Sequence, residues 1–145
     1  MPNIAATVGE GMTAISLCEC FTGPEINIVK EIFMSVGRVL MVPEKHLAAV
    51  TALSGSGPAF VALFIGHMAK TGSAMGLTED DALSLSVQTL SGTARLLDEG
   101  TSPEKLIAMV KSPGGTTEAG IKVFEDRGLG AIVADALLAA KNRAR

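Results

Sequence analysis

The feature that most constrains the fold of this 145-residue chain is a long segment without charged side chains. Residues 46–69, between Lys45 and Lys70, contain no Asp, Glu, Lys or Arg. The segment is long enough to cross a membrane, which takes about 20 apolar residues. However, Ser54-Gly55-Ser56-Gly57-Pro58 interrupts it, and only Ala59–Ile65 is continuously apolar. The segment therefore predicts a buried helix. Because the N-terminus lacks the basic region of a signal peptide, we expect a soluble, cytoplasmic protein.

Composition excludes several classes of function. Hydrophobic residues make up 48% and charged residues 19% of the chain, which is typical of a folded protein. The formal net charge is -3, and aromatic residues account for only 3%. A nucleic-acid-binding protein needs a basic face, and a single-strand binder also needs aromatic side chains for stacking. We therefore expect neither a nucleic-acid partner nor a membrane partner.

The two cysteines, Cys18 and Cys20, lie two positions apart. Cysteines this close in sequence rarely form an unstrained disulfide. A metal site would need two more ligands at workable spacing, and both histidines, His46 and His67, are remote in sequence. The pattern therefore favours buried structural thiols, and we expect no metal site.

The hydrophobic pattern changes near residue 44, which predicts two parts. The first part reads as a strand, a helix and a second strand, over residues 12–18, 25–36 and 39–42. The second part has helical spacing throughout, with capping signals for helix starts at Thr78, Ser102 and Thr116. The predicted fold class is mainly α, with a strand–helix–strand unit over residues 1–43 and a helical domain over residues 44–145.

Two glycine-bearing segments give weak or ambiguous signals for binding. Gly9–Ala14 matches the dinucleotide-binding fingerprint, but Thr22-Gly23-Pro24 interrupts the long helix that should follow, so we rank nucleotide binding there last. The segment Ser54–Pro58 has no lysine and is no Walker phosphate loop. It either holds a carboxylate or phosphate at the start of a long helix, or forms a tight turn between closely packed helices.

A third segment, Lys111-Ser112-Pro113-Gly114-Gly115-Thr116-Thr117, is more informative. Adjacent glycines allow backbone N–H groups to converge, two threonine hydroxyls can join them, and the following helix adds its dipole. The alternative is ordinary capping between two helices. Because this combination of residues exceeds what capping requires, the segment favours an anion site.

Residues 106–125, which include this segment, resemble the signature of the pyrroline-5-carboxylate reductase family. Residues 52–60 resemble that family's second landmark, and Met1-Pro2-Asn3 with Gly9-Glu10-Gly11 resembles a third. The order and intervals of the motifs also match, so the resemblance covers the whole chain. It implies an NAD(P)H-dependent oxidoreductase of proline biosynthesis, which reduces 1-pyrroline-5-carboxylate to proline. Such an enzyme has an N-terminal Rossmann domain followed by a helical dimerisation domain.

The resemblance also implies roles for individual residues. The residues implied to hold the substrate carboxylate are Ser56, Gly114, Gly115, Thr116 and Thr117. Asn3 is implied to lie near the nicotinamide of NADP or NAD, although Ile4-Ala5-Ala6 departs from the family's usual continuation after this asparagine. No catalytic residue is implied with certainty. Some relatives offer a threonine to the imine nitrogen where this chain has an apolar residue, about Leu63, so that a water would take that role.

By the same resemblance, the chain begins where the family's nucleotide domain is nearly finished. Residues 1–43 correspond to the last strand–helix–strand of that Rossmann-like sheet, and residues 44–145 to the dimerisation and substrate-binding domain. We therefore expect a homodimer or larger homo-oligomer that binds proline weakly and has no measurable reductase activity alone. The alternative is a non-catalytic oligomerisation module derived from the enzyme.

Overall fold

The computed structural model describes residues 1–18 and 21–144. Its helices and two short parallel strands confirm the predicted mainly α fold class. The chain divides into two compact units. The first unit combines Met1–Val61 with Ala134–Arg145, and the second consists of Ala62–Val133.

The predicted strand–helix–strand is present in the first unit. Strand β1 (Gly11–Ile15) and strand β2 (Gly37–Met41) are parallel and joined by helix α1 (Gly23–Met34). Thr22 begins this helix with a capping box, in which its backbone N–H donates to a Glu25 carboxylate oxygen at 2.8 Å. The buried residues of β1 include Thr13, Ala14 and Ile15, which give this unit its small core.

The remaining elements are helical. A 3-10 turn (Ile4–Val8) precedes β1, and a second 3-10 turn (Glu44–His46) follows β2. The further helices are α2 (Leu47–Val50), a π-helical turn (Thr51–Gly55), α3 (Gly57–Ala74), α4 (Glu79–Asp98), α5 (Pro103–Val110), α6 (Thr116–Asp126) and α7 (Leu129–Arg143).

The predicted helix starts at Thr78 and Ser102 are confirmed by their hydrogen bonds. The Thr78 hydroxyl oxygen accepts a bond from the Asp81 N–H at 3.1 Å, and the hydroxyl also donates to the Asp81 carboxylate at 2.7 Å. The Ser102 hydroxyl oxygen accepts from the Lys105 N–H at 3.2 Å. Each side chain satisfies a backbone donor that has no partner inside its own helix.

The long apolar helix is exposed in the single chain, so the prediction that it is buried is wrong. In α3 the one buried residue is Gly72, whereas the Leu63 side chain is 63% exposed. The continuous helical run Glu44–Ala74 is long and apolar enough to cross a membrane, but one such helix is weak evidence for a span. Apolar composition indicates a surface that needs cover, and among the described residues the fold of the single chain leaves this helix exposed.

The prediction of buried thiols is also wrong for Cys18. Strand β1 ends at Ile15, so Cys18 lies in the following loop, where its side chain is exposed and disulfide-bonded. Cys20 lies outside the described residues. Among the described residues, no group of three or more His, Cys, Asp or Glu side chains is placed to hold a metal ion.

The close approach of β1 and β2 at their first residues requires glycine. Gly11 and Gly37 lie opposite each other in the paired strands. Gly37 has a φ of +148°, which residues with an L side chain rarely adopt. A Cβ atom at Gly37 would also overlap the backbone of Gly11. The two glycines therefore permit the parallel pairing.

We predict that Gly37→Ala lowers the free energy of unfolding of this chain by roughly 3 kcal/mol, because backbone strain and steric overlap add. Gly23→Ala is the matched control: no heavy atom lies within 4 Å of its added Cβ, so the change should stay within about 0.5 kcal/mol. Urea denaturation followed by circular dichroism measures both. Equal transition midpoints for the two variants would contradict the prediction.

Candidate functional site

The loop between α5 and α6 is a tight turn built by its own sequence. The Gly115 N–H donates to the Ser112 C=O at 3.0 Å, and Gly114 has a φ of +70°. Proline at the second position and a glycine with positive φ at the third are the pattern of a type II turn. The turn places Gly115 immediately before α6, as its N-cap residue.

The two glycines of this loop are required for different reasons. Gly114 needs the positive φ, which L side chains rarely adopt. Gly115 has an ordinary φ of -81°, but a Cβ there would crowd the Ser112 side chain and come within 3.1 Å of the Ser112 carbonyl oxygen. A side chain at either position would therefore disturb the turn.

The start of α6 confirms the predicted helix boundary and leaves polar donors unpaired. Gly115 has no side chain to cap the helix, and its C=O accepts from the Ala119 N–H at 3.2 Å. Within the described part of the chain, the backbone N–H groups and hydroxyls of Thr116 and Thr117 have no hydrogen-bond partner. Thr116 is exposed and Thr117 is half-buried. Donors at a helix start, together with the helix dipole, suit a carboxylate or phosphate.

Glu118 is a member of this site that the sequence analysis missed. Its carboxylate accepts from the Gly114 N–H at 2.8 Å and lies 3.3 Å from the Lys111 ammonium. The hydrogen bond from Gly114, and then the bond and charge of Lys111, hold the pKa of Glu118 below its usual 4.5. An available signal was the position of Glu118 as the third helical residue, where an acidic side chain often reaches back to cap the helix.

The segment around Ser56 is a π-helical turn within a continuous helical run, which corrects the tight-turn interpretation. The Ser56 N–H donates to the Thr51 C=O at 2.8 Å, five residues back. The Ser56 C=O in turn accepts a hydrogen bond from the Ala59 N–H at 3.0 Å. The backbone N–H of Ser56 is therefore not free to bind an anion, and only its hydroxyl is a candidate donor. Such π-helical turns occur frequently at functional sites.

Asn3 connects this π-helical turn to β1. Its side-chain oxygen accepts from the Met12 N–H at 3.0 Å, and its side-chain nitrogen donates to the Ser54 C=O at 3.1 Å. One of the two amide hydrogens of Asn3 stays available for another partner. The hydroxyl oxygen of the same residue, Ser54, is buried and has no hydrogen-bond partner among the described residues.

The structure thus describes two groups of the predicted site residues, one in each unit. Asn3 and Ser56 lie in the first unit, where Asn3 holds the turn that leads to Ser56. Gly114–Thr117 lie together in the second unit. Leu63, the apolar residue that the family resemblance predicts in place of a threonine, also lies in the second unit.

The segment Gly9–Ala14 does not form the strand-to-helix turn that the dinucleotide fingerprint requires. Gly9 ends a 3-10 turn with a φ of +78°, and Gly11 begins a strand rather than a turn into a helix. The Gly11 N–H donates to the Val36 C=O at 2.9 Å, and a Cβ at Gly11 would meet that oxygen and Ala6 at 2.8 Å. The Val36 carbonyl and Ala6 therefore approach Gly11 closely, and the local fold differs from the glycine-rich turn that binds a pyrophosphate.

The fold defines a mainly helical class of protein with a small parallel sheet, and comparison with known proteins identifies its family. The family model for pyrroline-5-carboxylate reductase dimerisation matches residues 44–145. This chain belongs to the pyrroline-5-carboxylate reductase family.

Two curated relatives illustrate how much of such proteins the chain covers. The pyrroline-5-carboxylate reductase of Synechocystis sp. is 44% identical over 100% of this chain and 55% of its own length. That of Glycine max is 41% identical over 100% of this chain and 53% of its own length. The chain therefore spans about half the length of the curated relatives it matches.

Solved structures show the same coverage. The pyrroline-5-carboxylate reductase of Coxiella burnetii has a TM-score of 0.94 at 38% identity, over 99% of this chain and 54% of that one. The pyrroline carboxylate reductase of Plasmodium falciparum, with NADP bound, has a TM-score of 0.94 at 31% identity, over 99% and 59%.

We predict that Asn3→Ala lowers the free energy of unfolding by about 2 kcal/mol, because it leaves the Met12 N–H and the Ser54 C=O without partners. Asn3→Asp keeps the acceptor for Met12 and should retain slow hydrogen exchange of that amide. Thr7→Ala is the control, since it removes one exposed local hydrogen bond to Ile4. The prediction is wrong if Asn3→Ala costs no more than Thr7→Ala in urea denaturation.

Proposed function

We propose that this chain is the substrate-binding and dimerising part of a pyrroline-5-carboxylate reductase, which reduces 1-pyrroline-5-carboxylate to proline with NAD(P)H. The observation that carries the proposal is the loop before α6, whose unpaired donors lie in the segment that resembles the family signature. The match of the family model to residues 44–145 supports it. In this proposal residues 1–43 belong to the nucleotide domain and residues 44–145 to the dimerisation and substrate-binding domain.

The task of the loop is to hold the substrate carboxylate. We propose that Thr116 and Thr117 donate to it through their backbone N–H groups and hydroxyls, while Gly114 and Gly115 shape the turn that exposes these donors. Ser56 lies in the first unit, and its hydroxyl is proposed as a carboxylate donor in its own right. Fixing the carboxylate at one end orients the ring and its C=N bond, and orientation of reactants is a large part of what enzymes contribute to such reactions.

The nicotinamide cofactor, NADP or NAD, supplies the hydride to the imine carbon when it is bound. Among the described residues, we propose a contact only with the nicotinamide end of this cofactor. Asn3 has one uncommitted amide hydrogen, whereas Gly9–Ala14 lacks the strand-to-helix turn that holds a pyrophosphate. We therefore propose that Asn3 borders the nicotinamide and that the pyrophosphate is not held by the described residues. Because the described residues would not hold the pyrophosphate in this proposal, we expect this chain alone to show no NAD(P)H oxidation.

The proton for the imine nitrogen does not come from an obvious side chain in this proposal. Leu63 is 63% exposed and has no polar atom to offer where some relatives carry a threonine. We propose that a water molecule serves the imine nitrogen instead.

The exposed apolar surface supports association with further copies of the chain. Exposed large apolar side chains occur on several helices, and an open cleft of about 530 Å³ in the second unit is lined by Phe64, Leu85 and Phe124. We propose that another copy covers this surface, in a cytoplasmic homodimer or larger assembly without nucleic-acid or membrane partners. The same surface favours the alternative function, a non-catalytic oligomerisation module.

We predict that proline binds this chain weakly and shifts the NMR signals of the Thr116 and Thr117 amides. Gly115→Val should abolish the shifts because its side chain crowds Ser112. Thr116→Ala should weaken binding by about 1 kcal/mol, the worth of one neutral hydrogen bond, whereas the control Thr93→Ala on α4 should leave it unchanged. Shifts confined elsewhere, or undiminished in Gly115→Val, would leave the loop as a helix cap only.

We predict that the chain sediments as a dimer or a larger species. Because apolar contacts drive the association, it should persist at about 1 M NaCl, where electrostatic attraction is screened. Sedimentation velocity over a dilution series, at low and high salt, measures this. A single species of 14.9 kDa at all concentrations would show that the exposed helices need no partner.

A further inference from the structure

One carbonyl group in the long helical run lacks its usual partner because of a proline. In an α-helix, the C=O of each residue accepts from the N–H four residues ahead. The residue four positions after Ser54 is Pro58, which has no N–H to donate. Because the helical run continues from Glu44 to Ala74, this proline lies inside the run and not at its start. The Ser54 C=O therefore needs a donor from elsewhere.

Asn3 supplies this donor from a distant part of the sequence. Its side-chain nitrogen donates to the Ser54 C=O at 3.1 Å, so one amide hydrogen replaces the N–H that Pro58 lacks. The Met1 side chain lies against the same turn, since a Cβ atom added at Gly55 would be 2.7 Å from the Met1 Cε. The N-terminal segment therefore packs on the helical run at the carbonyl that the proline leaves open.

The other end of the Asn3 side chain is held by strand β1. The Met1 ammonium donates to the Ala14 C=O at 2.8 Å, and the Ala14 N–H donates to the Met1 C=O at 3.0 Å. Two residues further along, the Asn3 side-chain oxygen accepts from the Met12 N–H at 3.0 Å. The donor at Met12 requires an oxygen and the acceptor at Ser54 requires a nitrogen, so this network fixes the orientation of the amide. Because resonance keeps an amide planar, the two bonds also fix the direction of its remaining hydrogen.

We infer that Pro58 is a positioning residue for Asn3: it withholds the N–H that would otherwise occupy the Ser54 carbonyl, and so leaves this carbonyl to orient the Asn3 amide. Asn3 is the residue proposed above to border the nicotinamide, and the hydrogen with the fixed direction is the one left for that partner. An amide already held by two hydrogen bonds loses little freedom when a ligand arrives, which lowers the cost of the contact. The use of this hydrogen rests on the proposed function, whereas the positioning by Pro58 does not.

The test replaces Pro58 by alanine in the full chain, which restores an N–H four residues after Ser54. Alanine favours helices, so Pro58→Ala should fold, and circular dichroism checks this. NMR follows the side-chain NH2 signals of Asn3 and their exchange with water. Two control variants leave the bond between Asn3 and Ser54 intact. Pro103→Ala replaces a proline at the first position of α5, where the N–H has no intrahelical partner, and Ser54→Ala removes an unpartnered hydroxyl but keeps the carbonyl.

We expect the new N–H in Pro58→Ala to compete for the Ser54 C=O. The Asn3 side-chain signals should then move and exchange with water severalfold faster, and both controls should leave them unchanged. A double-mutant cycle gives a second measure. Asn3→Ala should lower the folding equilibrium constant about thirtyfold in the unmodified chain, where it leaves two backbone groups without partners. It should lower this constant only about fivefold in Pro58→Ala, where it leaves one such group.

Nicotinamide mononucleotide is then titrated into each chain, because it carries the nicotinamide without the pyrophosphate. Shifts of the Asn3 side-chain signals that weaken in Pro58→Ala support both the inference and the proposed function. If the mononucleotide never shifts these signals but Pro58→Ala does, the proposed role of Asn3 at the nicotinamide fails while its positioning by Pro58 stands.

Three results would overturn the inference itself. The first is an unchanged set of Asn3 side-chain signals in Pro58→Ala. The second is an equal cost of Asn3→Ala with and without Pro58, which would show that the two residues are not coupled. The third is equal binding of the mononucleotide by the unmodified chain and Pro58→Ala, because Pro58 would then have no effect on the contact that Asn3 makes.

Discussion

Helices α3, α5 and α7 carry more apolar side chains than the described fold buries. Among the described residues, the buried hydrophobic side chains are Ala14, Ile15, Ala52 and Ala82. Large side chains such as Leu63, Met109 and Leu138 are exposed by half or more. Because hydrophobic burial is the main favourable contribution to folding, helices of this kind depend on a covering surface from outside the chain. The proposed association of copies would complete the core.

The loop before α6 is organised in the opposite way, because its geometry is local. The Ser112–Gly115 hydrogen bond, the positive φ of Gly114 and the reach of Glu118 all join residues within one short segment. A turn of this kind forms from local contacts and needs no partner or cofactor. Its donors are those that a turn and a helix start necessarily leave unpaired.

Local patterns were predictable to different extents. The capping signals at Thr78 and Ser102 and the strand–helix–strand of the first part agree with the structure, because each depends on neighbouring residues. The interpretation of Ser54–Pro58 as a turn is wrong, because glycine and proline signal a break whether the chain reverses or continues through a π-helical turn. The bridge from Asn3 to Ser54 spans 51 positions, and no sequence period reports such a contact.

The sequence by itself determined the fold class, the helix starts and the family motifs, since periodicity, capping and glycine placement are local properties. Only the tertiary structure decided that Asn3 is committed to two backbone partners, that neighbouring groups approach Gly11 closely, and that Glu118 occupies the Gly114 N–H. It also decided that α3 is exposed in the single chain. These outcomes depend on which distant groups meet. A hydrogen bond or a buried surface requires two partners. The sequence pattern of one segment specifies the groups that this segment offers, but not the distant groups that it meets.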